Sequence, residues 1–434
     1  MMKFRRSITI FQNYQSTQKS DKVNTNFLIS LPWIDKIVTR VEPGTIPSYR
    51  EANGHIHTPY SFSAFDKIDT VFSMAKEEKI DILGINDFYV TDGYDAFAEG
   101  CMRNKIFPLF NIEFIGLLKK EQKQGIRIND PNNPGRIYFS GKGLDYPFSP
   151  GFFTRRRMKK MIDESQEQIR AMVEKLNELT GKINPAVRIT YDEIKRRYAH
   201  DLVRERHLAK ALRVAATEIF SEEKEQLEFI QSLCSGRKIK ASMSEPAMLE
   251  NEIRSYLLKA GGDAFVPENE GSFLPLARII KIITGAGGIP CYPVLLDDPS
   301  GNFTEFEADP VKLHKRLSSL SVGCIELIPG RNDIDRLKEF VEYFYSEGYV
   351  ITFGTEHNTP ELIPLTVSAR GKQPLDESLK KIAWEGACVI AAHQYLRAHG
   401  RQGYVLEDGK PSRSQRNDLA QTGKMIVEFY LNRQ

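Results

Sequence analysis

The chain is poor in cysteine, tryptophan and histidine, and its charges nearly cancel. Its 434 residues include five Cys, two Trp and eight His. Cys101, Cys234, Cys291, Cys324 and Cys388 are odd in number, widely spread and without a CxxC pair. That pattern argues against a disulfide framework and a thiolate zinc site, and for a reducing compartment. Lys and Arg number 60 against 57 Asp and Glu, a formal charge of +3. So small an excess gives no sign of a nucleic-acid-binding surface. The local run Arg155-Arg156-Arg157 with Lys159-Lys160 is followed at once by acids and reads as a solvated helix start. No apolar run approaches the ~18 residues that a membrane span needs. Met1 to Ser20 is basic and acid-free like a transit peptide. It lacks a long apolar core, which speaks against secretion, and a ragged start in a cytoplasmic protein is expected.

What is present is ordinary globular composition, 41% hydrophobic and 27% charged. The length suits one large core with an accessory module, or two domains. Strand-like runs at 53–57, 81–86, 107–113 and 136–140 are separated by helical segments near 64–79 and 93–105, and by a polar loop or hairpin tip at 122–135. The runs 287–296, 322–327 and 349–354 bring the count to seven. Such alternation predicts parallel strands joined by crossover helices. From 155 to 262 charged residues dominate and apolar ones recur at three and four, as in Met161, Ile169, Met172, Val173, Leu176 and Leu179. This region reads as an α-helical insertion, with Thr190 as an N-cap. Helices near 375–398 and 414–431 close the chain. The expected organisation is an N-terminal extension over 1–52, barrel segments over 53–154 and 263–370, the insertion between them, and C-terminal helices over 371–434.

Chemistry is concentrated at strand ends. His55-Ile56-His57-Thr58 closes the first strand, where two imidazoles at i and i+2 project to one face. Neutral imidazole is a frequent ligand for Zn, Mn and Fe. The second strand ends at Asp87, the third at Glu113, and the last leads to Glu356 and His357. In a β/α barrel these ends meet at one face. His and carboxylates gathered there suit a divalent transition metal.

These residues resemble the PHP (polymerase and histidinol phosphatase) family over about 53–370. His55-Ile56-His57-Thr58 matches its opening H-x-H-T. Asn86-Asp87-Phe88-Tyr89 with Gly93-Tyr94 resembles its second motif, T-D-H-N followed by G-Y. Asn111-Ile112-Glu113 resembles the third, and Gly354-Thr355-Glu356-His357 the last, G-[ST]-D-x-H. Ile189 to Ile194 and Arg206-His207 resemble its helical insertion, and Gly287-Gly288-Ile289-Pro290 the strand that normally ends in His-Pro. The resemblance implies an α/β fold, a distorted (β/α)7 TIM-like barrel with an α-helical insertion, and hydrolysis of phosphoesters.

Several family ligands are missing. Phe88 stands for the second-motif His, Tyr138 aligns with a fourth-strand His, and Tyr292 or Val294 takes the place of another. The set implied for one metal position survives as His55, His57, Glu113 and Glu356, so one divalent ion (Zn, Mn or Fe) per chain is expected. Asp87 and His357 are the candidate acid/base groups. Arg331, Tyr138, Tyr292 and His207 are candidates for binding the substrate, a small anionic molecule. Neither nucleic acid nor membrane is expected as a partner. The resulting expectation is a metal-dependent phosphoesterase-like hydrolase. A sugar or acid lyase, isomerase or amidohydrolase on the same barrel, and a non-catalytic relative, are the alternatives.

Overall fold

The computed structural model describes residues 27–62, 64–269 and 272–433; the reading of Met1 to Ser20 falls outside them. Seven strands form the barrel: β1 (Ala52–Ile56), β2 (Ile82–Phe88), β3 (Phe107–Leu117), β4 (Arg136–Lys142), β6 (Ile289–Val294), β7 (Cys324–Leu327) and β8 (Val350–Phe353). They pair in the order β1-β2-β3-β4-β6-β7-β8, while the short β5 (Leu274–Pro275) pairs with β3 off this path. Every residue of β2 and β3 is buried. Strands covered on both faces read as the continuous apolar runs seen in the sequence.

Closure comes from the loop after β8. Glu356 N donates to His55 O at 2.9 Å, and His57 N donates to Glu356 O at 3.1 Å. Gly354 permits this approach, because a Cβ there would collide with the His55 backbone and Cβ. The protein is therefore a mixed α/β chain built on a distorted TIM-like barrel.

The expectation of parallel strands is corrected at β4, which runs antiparallel to both β3 and β6, as a hairpin tip over 122–135 allows. The reason lies in the 118–135 connection, where the only helix is the short Lys119–Lys123. A parallel return needs a crossover, usually a full helix, whereas a turn-rich link brings the chain back alongside itself. The reversal places the start of β4, rather than its end, at the barrel mouth. Tyr138 sits there opposite Ile115, and Lys142 lies deeper.

Around the barrel run α1 (Ile68–Glu77), α2 (Tyr94–Asn104), α8 (Leu276–Gly285), α9 (Pro310–Ser319) and α10 (Ile334–Ser346). Between β4 and β5 the chain forms α3 (Phe152–Ile183), α4 (Tyr191–Tyr198), α5 (Glu205–Ile219), α6 (Glu223–Leu233) and α7 (Pro246–Ile253). These helices share a hydrophobic cluster distinct from the two that line the barrel. Thr190 caps α4, its Oγ1 accepting from Glu193 N at 3.2 Å. No described helix is long and apolar enough to cross a membrane.

The closing helices are α11 (Glu377–Ala398) and α12 (Arg416–Leu431). α11 is buried along most of its length, between β8 and α12. Gly386 and Gly423 allow these contacts, since a Cβ at either would strike a neighbouring carbonyl, of Ile351 or Cys388. Gly386→Ala should lower stability by about 1–3 kcal/mol through overpacking, read as a lower denaturation midpoint at unchanged slope.

Candidate metal centre

His55 lies on β1 and His57 one residue past its end, and both rings are buried inside the barrel. Their Nε2 atoms face each other at 3.3 Å. Two imidazole nitrogens held ~2.0–2.1 Å from one tetrahedral ion would lie roughly 3.3–3.4 Å apart. Glu113, on β3, brings Oε2 to 3.7 Å from His57 Nε2. The ligand atoms of His55, His57 and Glu113 all lie within 4.8 Å of one another.

The electrostatics of this trio favour a cation. Burial, aided by the neighbouring His55, holds the His57 imidazole well below its usual pKa, so it is neutral. Its Nδ1 is buried without a hydrogen-bond partner. Burial first, then the Glu356 and Glu326 carboxylates, push Glu113 well above the usual carboxylate range. A positive ion among these groups would relieve both the repulsion and the desolvation. The neutral His57 imidazole, the His55 ring and the Glu113 carboxyl group therefore fit a divalent metal.

Behind His55 stands a buried charged line that the sequence reading missed. Glu326 Oε2, on β7, lies 3.0 Å from His55 Nδ1. Its other oxygen pairs with the fully buried Lys142 ammonium, which also donates to Asn86 Oδ1 at 3.2 Å. Burial alone would raise the Glu326 carboxyl, yet His55 and Lys142 pull it down to about 2. A proton on Nδ1 shared with Glu326 would leave Nε2 as the ligand atom. Asn86 Nδ2 lies 3.1 Å from Nδ1 and 3.0 Å from Nε2 of the same ring. A carboxylate behind a histidine in this way fixes the tautomer and orientation of a ligating ring. The available signal was a lone charge inside an apolar strand, Glu326 in Val322–Leu327 and Lys142 closing Arg136–Lys142.

The other expected residues have different placements. Glu356 stays outside the trio. It takes a left-handed backbone, φ +68°, as does His357 at +43°. Its carboxylate is turned to Arg331 and accepts from Asn358 Nδ2 at 2.5 Å. Asp87 does not face the trio's cavity; it accepts from Thr58 N at 2.7 Å and from the Thr58 and Ser61 hydroxyls, fixing the turn after β1. His357 has both ring nitrogens engaged, Nδ1 with Thr355 Oγ1 at 2.7 Å and Nε2 with Ile363 O at 2.8 Å. Tyr292 is fully buried and donates to Glu307 at 2.6 Å. His207 Nδ1 accepts from Arg204 N at 2.9 Å, capping α5.

Arg331 and Tyr138 do line a cavity of about 680 Å³ whose wall includes His55, Glu113, Glu326 and Glu356. Its rim also carries Arg204, Arg254 and Lys259 from the helical region. Lys259 pairs with Glu205 at 3.2 Å, whereas Arg204 and Arg254 make no ion pair among the described residues. Arg204 lies 4.0 Å over the Phe88 ring. Arg206 links this region to the β8 loop, donating to Asn251 at 2.9 Å and Asn358 at 3.3 Å.

No protein-family model and no curated protein matches the chain. Among solved structures it is similar to a provisionally assigned metal-dependent phosphoesterase from Bifidobacterium adolescentis, with TM-score 0.49 and 12% identity over 77% of this chain and 95% of that one. It is also similar to an amidohydrolase from Chromobacterium violaceum with bound sulfate and no metal, with TM-score 0.46 and 14% identity over 77% and 96%. Likeness this distant carries no inference about chemistry.

Lys142→Met should cost about 3–5 kcal/mol, because it strands the Glu326 charge in the barrel. The double variant Lys142→Met/Glu326→Gln should recover part of that loss in denaturant unfolding. A double variant at least as damaging as the sum of the two singles would refute the pairing.

Proposed function

We propose that the protein is a divalent-metal-dependent hydrolase of the PHP type, acting on a small phosphoester. One observation carries this reading: His55 and Glu113 of the His55/His57/Glu113 trio line one cavity together with Arg204 and Arg254, which make no ion pair among the described residues. The trio would hold a single ion, with Glu326 orienting His55 and Glu113 supplying the negative charge. A divalent ion bound there would lower the pKa of water toward neutrality and polarise a phosphoryl oxygen.

The chain's own groups supply the remaining roles. Arg204 and Arg254 present guanidinium forks that match phosphate geometry and make no ion pair among the described residues. Arg331 is close enough to share itself between Glu356 and an incoming anion. Tyr138 remains a neutral hydroxyl, because burial and nearby acids raise its pKa. At the mouth it is placed to donate a hydrogen bond to a substrate oxygen. Asp87 and His357 are assigned to shaping the turns after β1 and β8, since their polar atoms are already engaged.

Turnover of a phosphomonoester panel with Mn or Zn tests this assignment. His57→Ala should abolish activity and reduce bound metal from about one ion per chain to well below it. Unchanged rates in His57→Ala would reject the role, and wild-type protein that takes up no metal would favour a non-catalytic relative. Arg204→Gln should raise KM about tenfold or more, the loss expected when a charge-assisted hydrogen bond worth about 1.5–3 kcal/mol is removed.

A further inference from the structure

The start of α3 bears two features that the proposed site does not use. Phe152 and Phe153 are each 71% exposed, the most exposed of the large apolar side chains among the described residues. Immediately after them, Arg155, Arg156, Arg157, Lys159 and Lys160 are all exposed. The three guanidinium groups make no hydrogen bond or ion pair among the described residues. Lys159 and Lys160 make only solvent-facing pairs one turn on, with Asp163 at 2.7 Å and Glu164 at 3.5 Å.

This arrangement runs against helix electrostatics. The N-terminal turn of a helix is its positive end and favours acidic side chains. The first turn of α3 contains no acid. Met158 and Met161, buried against the barrel-side core, hold the helix in place while the basic and aromatic side chains project outward. Helix stability therefore explains neither the cations nor the two phenyl rings.

We infer that this tip of α3 is a docking surface for an anionic phospholipid bilayer. The phenyl rings would enter the interface between headgroups and acyl chains, and the arginines would meet lipid phosphates. Basic residues close to an anionic surface strengthen binding by about fivefold each, and apolar insertion adds to this. The ring geometry separates this partner from single-stranded nucleic acid. The two rings meet edge-on, with centroids 5.6 Å apart and planes at 75°. They form a compact apolar knob, whereas successive stacked bases need flat, exposed ring faces. A second copy of the chain is disfavoured by area. Two aromatic side chains offer roughly 300–500 Å², whereas a stable interface buries about 800 Å² per partner. Membrane contact of this kind needs no spanning helix. It departs from the sequence-based reading of the basic run as merely solvated.

Co-sedimentation of the full chain with phosphatidylcholine vesicles, with and without phosphatidylglycerol, tests the inference. Pelleting is expected only with the anionic vesicles, and it should weaken at high salt. Arg155→Gln/Arg156→Gln/Arg157→Gln should cut the partition coefficient by at least tenfold. Phe152→Ser/Phe153→Ser should also weaken binding. Both sets of substitutions are on exposed side chains, so unfolding midpoints should match the parent protein. No pelleting with anionic vesicles, equal pelleting with neutral ones, or undiminished binding in both variants would overturn the inference. So would preferential binding of a single-stranded oligonucleotide, or a dimer that the Phe substitutions dissolve.

Discussion

Inside the barrel the Glu326 carboxylate is held between the Lys142 ammonium and the His55 imidazole, with all three groups buried. An isolated charge at this depth would be prohibitively costly, and each partner makes the other tolerable. The consequence reaches beyond stability. Because Glu326 takes the Nδ1 side of His55, the Nε2 side is directed toward His57 and Glu113. The convergence of ligand atoms thus depends on a cation and an anion brought together from distant parts of the sequence, 184 residues apart.

The rim follows a different logic. Backbone pairing of Glu356 with His55 and His57 closes the barrel and, at the same time, forces the last strand into left-handed turns at Glu356 and His357. Non-glycine residues adopt that conformation at a cost of about 1–3 kcal/mol each, and only where the surroundings fix them. Here they are fixed by Arg331 and Asn358 on the Glu356 carboxylate and by Thr355 and Ile363 on the His357 ring. Arg206 then ties Asn358 to the helical region. Arg331, Glu356, Asn358 and Arg206 form one continuous polar strap across the mouth, and Arg204 and Arg254 beside it make no ion pair among the described residues.

Much of the scaffold was legible in the sequence. The seven strand runs lie where apolar periodicity placed them, and Thr190 caps its helix by the expected bond. His55 and His57 were legible as strand-end residues; Glu113, expected at the end of its strand, lies inside β3, which runs on to Leu117, and the structure brings the three together. Other features were hidden for physical reasons. The direction of β4 depends on what the 118–135 connection does not contain, a crossover helix. Glu356 carries the right chemistry, but its orientation is set by backbone dihedrals that its side-chain type does not reveal. Glu326 and Lys142 each looked like an isolated charge, because their pairing exists only after the sheet curls. Arg204 was overlooked in favour of His207, which in fact caps the helix that holds Arg204 at the rim.

Anomalous diffraction from crystals soaked in Mn or Zn examines this arrangement most directly. The account requires one strong peak at about 2.0–2.2 Å from His55 Nε2, His57 Nε2 and a Glu113 oxygen, with Glu326 still against His55 Nδ1. A peak ligated elsewhere, or no peak at these three atoms under saturating metal, would contradict it.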